Sequence, residues 1–222
     1  MEKLVEKVIV AYAMAFVMLG LMFFVPAGTI YYWQAWIYLI LMFFVAIAIS
    51  IYLFRHDKAV IERRMKLKEK EEPQKKIIKI GSIFYLILFI IPGLDFRFGW
   101  SQVPLAVVIL SDAVFLFGYY LFFLTLRENP YAARTIEVEK GQRVITTGPY
   151  AIVRHPMYSA ILLIMLVTPL CLGSYWSMIA TIPMFPLIVF RILNEEKVLS
   201  ENLPGYKEYL KKNRYRLIPA IW

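Results

Sequence analysis

The chain is 222 residues long, 60% of them hydrophobic and 18% charged, with a mean hydropathy of +0.62. Soluble domains sit nearer half apolar and a quarter charged, so this balance points to lipid as solvent, and the length fits one domain. The net charge of +9 would suit nucleic acid, but the basic residues stand between apolar runs, where anionic lipid headgroups are the expected partner.

A membrane-crossing helix needs about 20 apolar residues. Six segments approach that length: 8–25, 33–54, 77–91, 103–126, 157–172 and 175–193. The first follows Glu2, Lys3, Glu6 and Lys7 directly, whereas a cleaved signal calls for a shorter apolar stretch followed by a small-x-small site, so it is expected to be a retained span. The third and fifth are short and need flanking residues or a thinner bilayer. Between the second and third, residues 55–76 carry both charge signs and are expected as a solvated helical extension at the headgroups, with a specific lipid-binding role as the alternative. Asp112 is the one acid expected within a span, where either a function or a hydrogen bond to a neighbouring helix would account for it. The single cysteine, Cys171, excludes an internal disulfide and a cysteine-rich zinc site, and no metal site is expected. Only Gly173 and Ser174 join the last two segments, which predicts a tight hairpin kinked at Pro169, Pro183 and Pro186.

With the N-terminus inside, every lysine and arginine except Arg97 falls on the inner side, as the positive-inside rule demands. The sequence therefore predicts an all-α integral membrane protein of six transmembrane helices with both termini cytoplasmic. It reads as a single membrane domain over 1–222, with N-terminal helices and a basic loop in 1–101 and a chemistry-bearing half in 102–222.

Two inner segments are dense in polar chemistry. In the first, Gly148 and Pro149 signal a turn, and Pro156 suits the first position of a helix. Arg154 and His155 then lie at the mouth of the fifth span, where free amides, the helix dipole and the guanidinium would hold an anion. In the second, Arg191, Glu195 and Leu199 share a helix face at i, i+4, i+8. The paired Glu195 and Glu196 there either receive a cationic group or form a charged helix end.

Gly148-Pro149-Tyr150 with Arg154-His155-Pro156 and Tyr158, followed by Glu195-Glu196, Leu199, Tyr206 and Tyr209 before a Leu-Ile-Pro ending, resembles the isoprenylcysteine carboxyl methyltransferase family. Membrane phospholipid N-methyltransferases share the pattern. Arg127-Glu128-Asn129 and the Thr135-Ile-Glu-Val stretch look like the prokaryotic branch of the family, and the resemblance covers roughly 100–222. It implies methyl transfer from S-adenosyl-L-methionine, leaving S-adenosyl-L-homocysteine, at the cytoplasmic face of a prokaryotic cell membrane. The cofactor would sit between the Arg-His-Pro segment, the last hairpin and the C-terminal tail. By position, Tyr150, His155 and Tyr158 would line it, with Gly148, Pro149 and Pro156 shaping the loop and Glu195 or Glu196 near its amino group or the reacting centre. The absence of any Gly-x-Gly pair, damaging for a soluble-type methyltransferase, is what this family's membrane-built site implies.

The candidate catalytic residues are Arg154, Glu195, Glu196 and Arg214. A carboxylate acceptor needs orientation, which Arg154 or a tail arginine (Arg214, Arg216) can give bidentately. An amine or thiol must lose a proton, with Glu195 or Glu196 as the base, while His155 serves in the cofactor pocket or as a base. The leading acceptor is the carboxylate of an isoprenylcysteine-like substrate, with a lipid amine and a small thiol as alternatives. Expected partners are membrane lipids and a lipophilic or prenylated substrate, not nucleic acid. A non-catalytic lipid-binding scaffold would have no need of this constellation. A transporter would show repeat symmetry and more polar residues within its spans.

Overall fold

In the computed structural model, which describes residues 2–66, 69 and 71–222, the ordered elements are all helical, with no strand among the described residues. They run α1 (Glu2–Ala27), α2 (Trp33–His56), α3 (Lys58–Arg64), α4 (Glu72–Phe98), α5 (Leu105–Glu128), α6 (Pro156–Cys171), α7 (Met184–Asn202) and α8 (Tyr206–Lys212), with 3-10 turns at Gly148–Ala151 and Trp176–Thr181. Among the described residues, five stretches are long and apolar enough to cross a membrane: α1, α2, α4, α5 and Trp176–Asn202. Helix α6, the expected fifth span, has 16 residues and at ~1.5 Å per residue falls short of a ~30 Å hydrocarbon core.

Two elements depart from the sequence reading. The third span is not short, because α4 continues through Pro92 and Gly93 to Phe98 and carries Lys75, Lys76 and Lys79 within its first turns. The last span is not one α-helix from 175, because its first six residues form a 3-10 turn and α7 starts only after Pro183. Proline lacks the N–H that would continue the ladder and crowds the preceding turn. Residues 67, 68 and 70 of the expected headgroup extension lie outside the described residues. Its flanks are α3, capped by the Asp57 side chain accepting from Ala59 N at 3.1 Å, and the start of α4.

By its contacts the chain divides into two units. Unit 1 comprises Met1–Ala48, Ser82–Leu116 and Ile164–Met184. Its core is aromatic: Phe23 packs edge-on against Tyr38 and Phe89, and Tyr38 lies 4.9 Å from the ring of Phe115. Gly93 lets α4 approach α1 closely, since a Cβ there would come within 2.5 Å of the Phe23 carbonyl oxygen, the small-residue contact typical of membrane helices.

The expectation that Asp112 is the one acid within a span is corrected by Asp95, which lies inside α4 and is fully buried. Its carboxylate accepts from Ser101 N and Ser101 Oγ, both at 2.6 Å, and from Ser174 Oγ. Three donors satisfy the acid and tie the end of α4 to the turn after α6, where Gly173 adopts φ +71°. Asp112 faces Cys171.

Unit 2 comprises Ile49–Gly81, Phe117–Leu163 and Phe185–Trp222. It holds the long segment 129–147 against three supports. Helix α3 grips it through Arg63, which donates to the Pro130 carbonyl at 2.6 Å and pairs with Glu139 at 2.9 Å, and Lys66 just beyond pairs with Glu137 at 3.3 Å. Leu203, Tyr206 and Tyr209 supply an apolar bed on which Val138 and Val144 pack. On α7, Arg191 donates to the Arg134 carbonyl at 2.8 Å.

Candidate functional site

All the polar residues singled out from the motifs, apart from Arg214, meet within unit 2. Gly148 has φ +56°, and a Cβ there would lie 2.9 Å from the Glu128 carboxyl, so the turn needs glycine. That turn delivers Tyr150, whose carbonyl accepts from Tyr209 Oη at 2.7 Å and Asn213 Nδ2 at 2.9 Å, while its hydroxyl accepts from Asn129 at 3.0 Å. Tyr150 therefore braces the loop against α8.

Arg154 and His155 precede α6 as expected, but their amides are not free to hold an anion. Arg154 N donates to the Tyr215 carbonyl at 2.8 Å and His155 N to the Arg216 carbonyl at 2.9 Å. The C-terminal tail is thus laid alongside the mouth of α6, and Ser159 Oγ donates to the Leu217 carbonyl at 2.7 Å. The anion at this mouth is the protein's own Glu196. Its Oε1 lies 2.8 Å from Arg154 Nε and 3.2 Å from His155 Nε2, and its Oε2 accepts from Arg216 Nε at 3.0 Å. The Arg154 contact is an ion pair out of line for a hydrogen bond, since that Nε has no hydrogen-bond partner. A carboxylate only accepts, so Nε2 of His155 is the donor in this contact. Arg154, His155 and Glu196 are all buried.

Glu195, one residue earlier, is differently placed. Its Oε2 accepts the Tyr158 hydroxyl at 2.6 Å, and that hydroxyl oxygen accepts from Arg191 Nε at 2.8 Å. Arg191 also donates to Gln74 Oε1 at 2.9 Å. The chain Gln74–Arg191–Tyr158–Glu195 fixes one carboxylate oxygen and leaves Oε1 of Glu195 uncommitted among the described residues.

Arg191, Tyr158 and Glu195 line a cavity of about 120 Å³ walled on one side by segment 129–147 and on the other by α6, α7 and α8. Its lining includes Tyr158, Arg191, Glu195 and His155, and the buried Thr135, whose Oγ1 has no partner. Burial pushes the Tyr150 and Tyr206 phenols well above their usual range, and pushes Tyr209 up to about 12. All three are therefore neutral hydroxyls at physiological pH. Glu196, Arg214 and Arg216 do not line the cavity. Arg214 is exposed, and the tail arginine on the cluster is Arg216, stacked over Trp222 at 5.0 Å. The sequence reading did not assign Arg191, Gln74, Asn129 or Asn213 to the site. The one signal for Arg191 was its shared helix face with Glu195.

Fold and site together define a membrane-embedded helical protein with a polar cavity built from helix ends and a loop. Residues 106–204 match the family model of the phospholipid methyltransferases. The matched stretch is just under half of the chain and contains Arg154, His155, Glu195 and Glu196. It supports a membrane methyltransferase acting on a lipid-type substrate. No curated protein matches the chain.

Proposed function

We propose that the protein transfers a methyl group from S-adenosyl-L-methionine to the amine of a membrane phospholipid, with Glu195 as the residue that receives the amine's proton. The observation that carries the reading is the division of labour between the two adjacent acids. Glu196 is spent on Arg154, His155 and Arg216, so it is a structural hub. Glu195 faces the cavity with one oxygen free, which suits a base acting on an ammonium acceptor.

The residues present fit the cofactor in kind. Thr135 offers an orphaned buried hydroxyl, Tyr158 and Tyr206 offer ring faces, which attract cations, and Arg191 offers a guanidinium for a carboxylate. When bound, the cofactor supplies an electrophilic methyl on a sulfonium. The protein's contribution is orientation and exclusion of water: the loop 129–147 covers the cavity, and Arg191 and Tyr158 fix Glu195. The acid takes one proton from the acceptor nitrogen, which frees the lone pair for in-line attack. The cavity is smaller than the ~300–1,000 Å³ usual for ligand pockets, so a nucleoside-sized group enters by displacing the loop outward.

The carboxylate of an isoprenylcysteine-like substrate is the second reading, favoured by Arg134 and Arg143 in the cavity lining. The test is transfer of labelled methyl to phosphatidylethanolamine vesicles, with a farnesylcysteine derivative assayed in parallel. Methylated lipid is expected, falling by ~10²–10⁴-fold in Glu195→Gln with binding of S-adenosyl-L-homocysteine retained. Methylation of the farnesylcysteine derivative alone would move the acceptor to the carboxylate. Folded protein that binds no cofactor and methylates neither would overturn the reading.

A further inference from the structure

Unit 1 contains an apolar groove of about 730 Å³, lined by α4 and by the 3-10 turn Trp176–Thr181 with the two residues that follow it. On α4 the lining residues Phe84, Ile87 and Ile91 form an i, i+3, i+7 stripe along one helix face. On the opposite wall Trp176, Ile179 and Ile182 stand at i, i+3, i+6, the spacing that aligns side chains on a 3-10 helix, and all three are exposed.

The inward face of that turn carries only small side chains. Ser177 and Ala180 are buried, and Ser177 Oγ donates to the Leu88 carbonyl at 2.7 Å. No large side chain from the turn fills the space beside α4, and Pro183 prevents the turn from closing up as regular helix. The result is an open apolar groove between the two stripes. Trp100 and Trp176 stand at one end of it, the residue type that settles at the headgroup level. None of its lining side chains carries a charge.

We propose that this groove is a binding site for the acyl chain of a bilayer phospholipid, entering between Trp100 and Trp176 and lying along both stripes. The groove lies on two of the five stretches that are long and apolar enough to cross a membrane, α4 and Trp176–Asn202, where the surrounding solvent is hydrocarbon. There, apolar association has no hydrophobic drive, and packing decides what is bound. An empty groove forfeits the dispersion contacts of both walls. A methylene chain restores them along their whole length, and apart from the indole N–H groups of Trp100 and Trp176 the lining side chains are apolar.

The test uses wild-type protein in vesicles of phosphatidylethanolamine and phosphatidylglycerol at 3:1, doped with a phospholipid bearing a diazirine midway along one acyl chain. After photolysis, label is mapped by peptide mass spectrometry. Peptides containing 84–91 and 176–183 are expected to carry severalfold more label than the α1 face at Ile9, Met14 and Val17, although that face is exposed while Phe84, Ile87 and Ile91 are half-buried. Ala180→Leu, which fills the floor, should lower the groove label to the α1 level. Ile182→Ser, at an exposed position on the rim, should lower it partly and serves if the buried variant fails to fold. Equal labelling of groove and α1 in wild type would overturn the proposal. So would groove peptides protected by a second copy that crosslinks through Trp176→Cys, or displacement of the lipid label by an isoprenoid probe at equal concentration.

Discussion

At the residue scale, the two adjacent acids behave as different devices. Consecutive helical residues point roughly 100° apart, so Glu196 faces the tail and α6 while Glu195 faces the cavity. Removing the Glu196 charge leaves the buried Arg154 guanidinium uncompensated. Glu196→Gln is therefore expected to cost about 3 kcal/mol of stability, read as a shift in denaturant midpoint in mixed micelles. Glu195→Gln keeps an amide oxygen to accept from Tyr158, so it is expected to cost clearly less stability than Glu196→Gln while losing turnover. Equal destabilisation by both would contradict the division of roles. The resemblance implied that the two acids belong to the site, but not that Glu196 alone meets Arg154 and His155 while Glu195 meets Tyr158. The tail leaves helical geometry after Lys212, so periodicity could not tell Arg214 from Arg216.

At the element scale, the segment 129–147 is the cavity's outer wall, held by α3, α7 and the α8 bed. Arg63 makes two of its clasps, through the Pro130 carbonyl and Glu139. Arg63→Ala is expected to speed proteolysis at Lys140 or Arg143 severalfold, and bound S-adenosyl-L-homocysteine should change that rate again. Gly148→Ala must place a Cβ at positive φ against Glu128, which should cost about 1–2 kcal/mol, seen as a lower unfolding midpoint in detergent. The helices themselves were legible from hydropathy, with instructive misses. Pro92 and Gly93 read as a span's end, and charges at both ends of α4 masked its length. Membrane neighbours tolerate such residues within a helix, so α4 runs on past them and carries Asp95. The 3-10 turn at Trp176–Thr181 left no trace in an apolar run, because hydropathy carries no information on helical pitch.

For the whole molecule, the charge asymmetry predicts that the segment 129–147 and the tail share the basic face of the membrane, opposite the connection around Tyr31. With the native thiol removed as Cys171→Ala, a cysteine at Lys140 should react with an impermeant maleimide only in inverted vesicles, and one at Tyr31 only in intact cells. The reverse pattern would contradict the orientation. The general site region, on the ends of the last helices, was legible from the sequence. Its small volume was not, because it follows from how a loop without regular structure lies on α7 and α8.

The most direct test of the account is calorimetric titration of S-adenosyl-L-homocysteine into the detergent-solubilised wild-type protein and its Arg191→Ala variant. Arg191 orders Tyr158, Gln74 and the Arg134 carbonyl around the cavity. The account predicts saturable binding by wild type, weakened at least ~10-fold in the variant, equivalent to ~1.4 kcal/mol. A folded wild-type protein that shows no heat of binding would contradict the claim that this cavity holds the methyl donor.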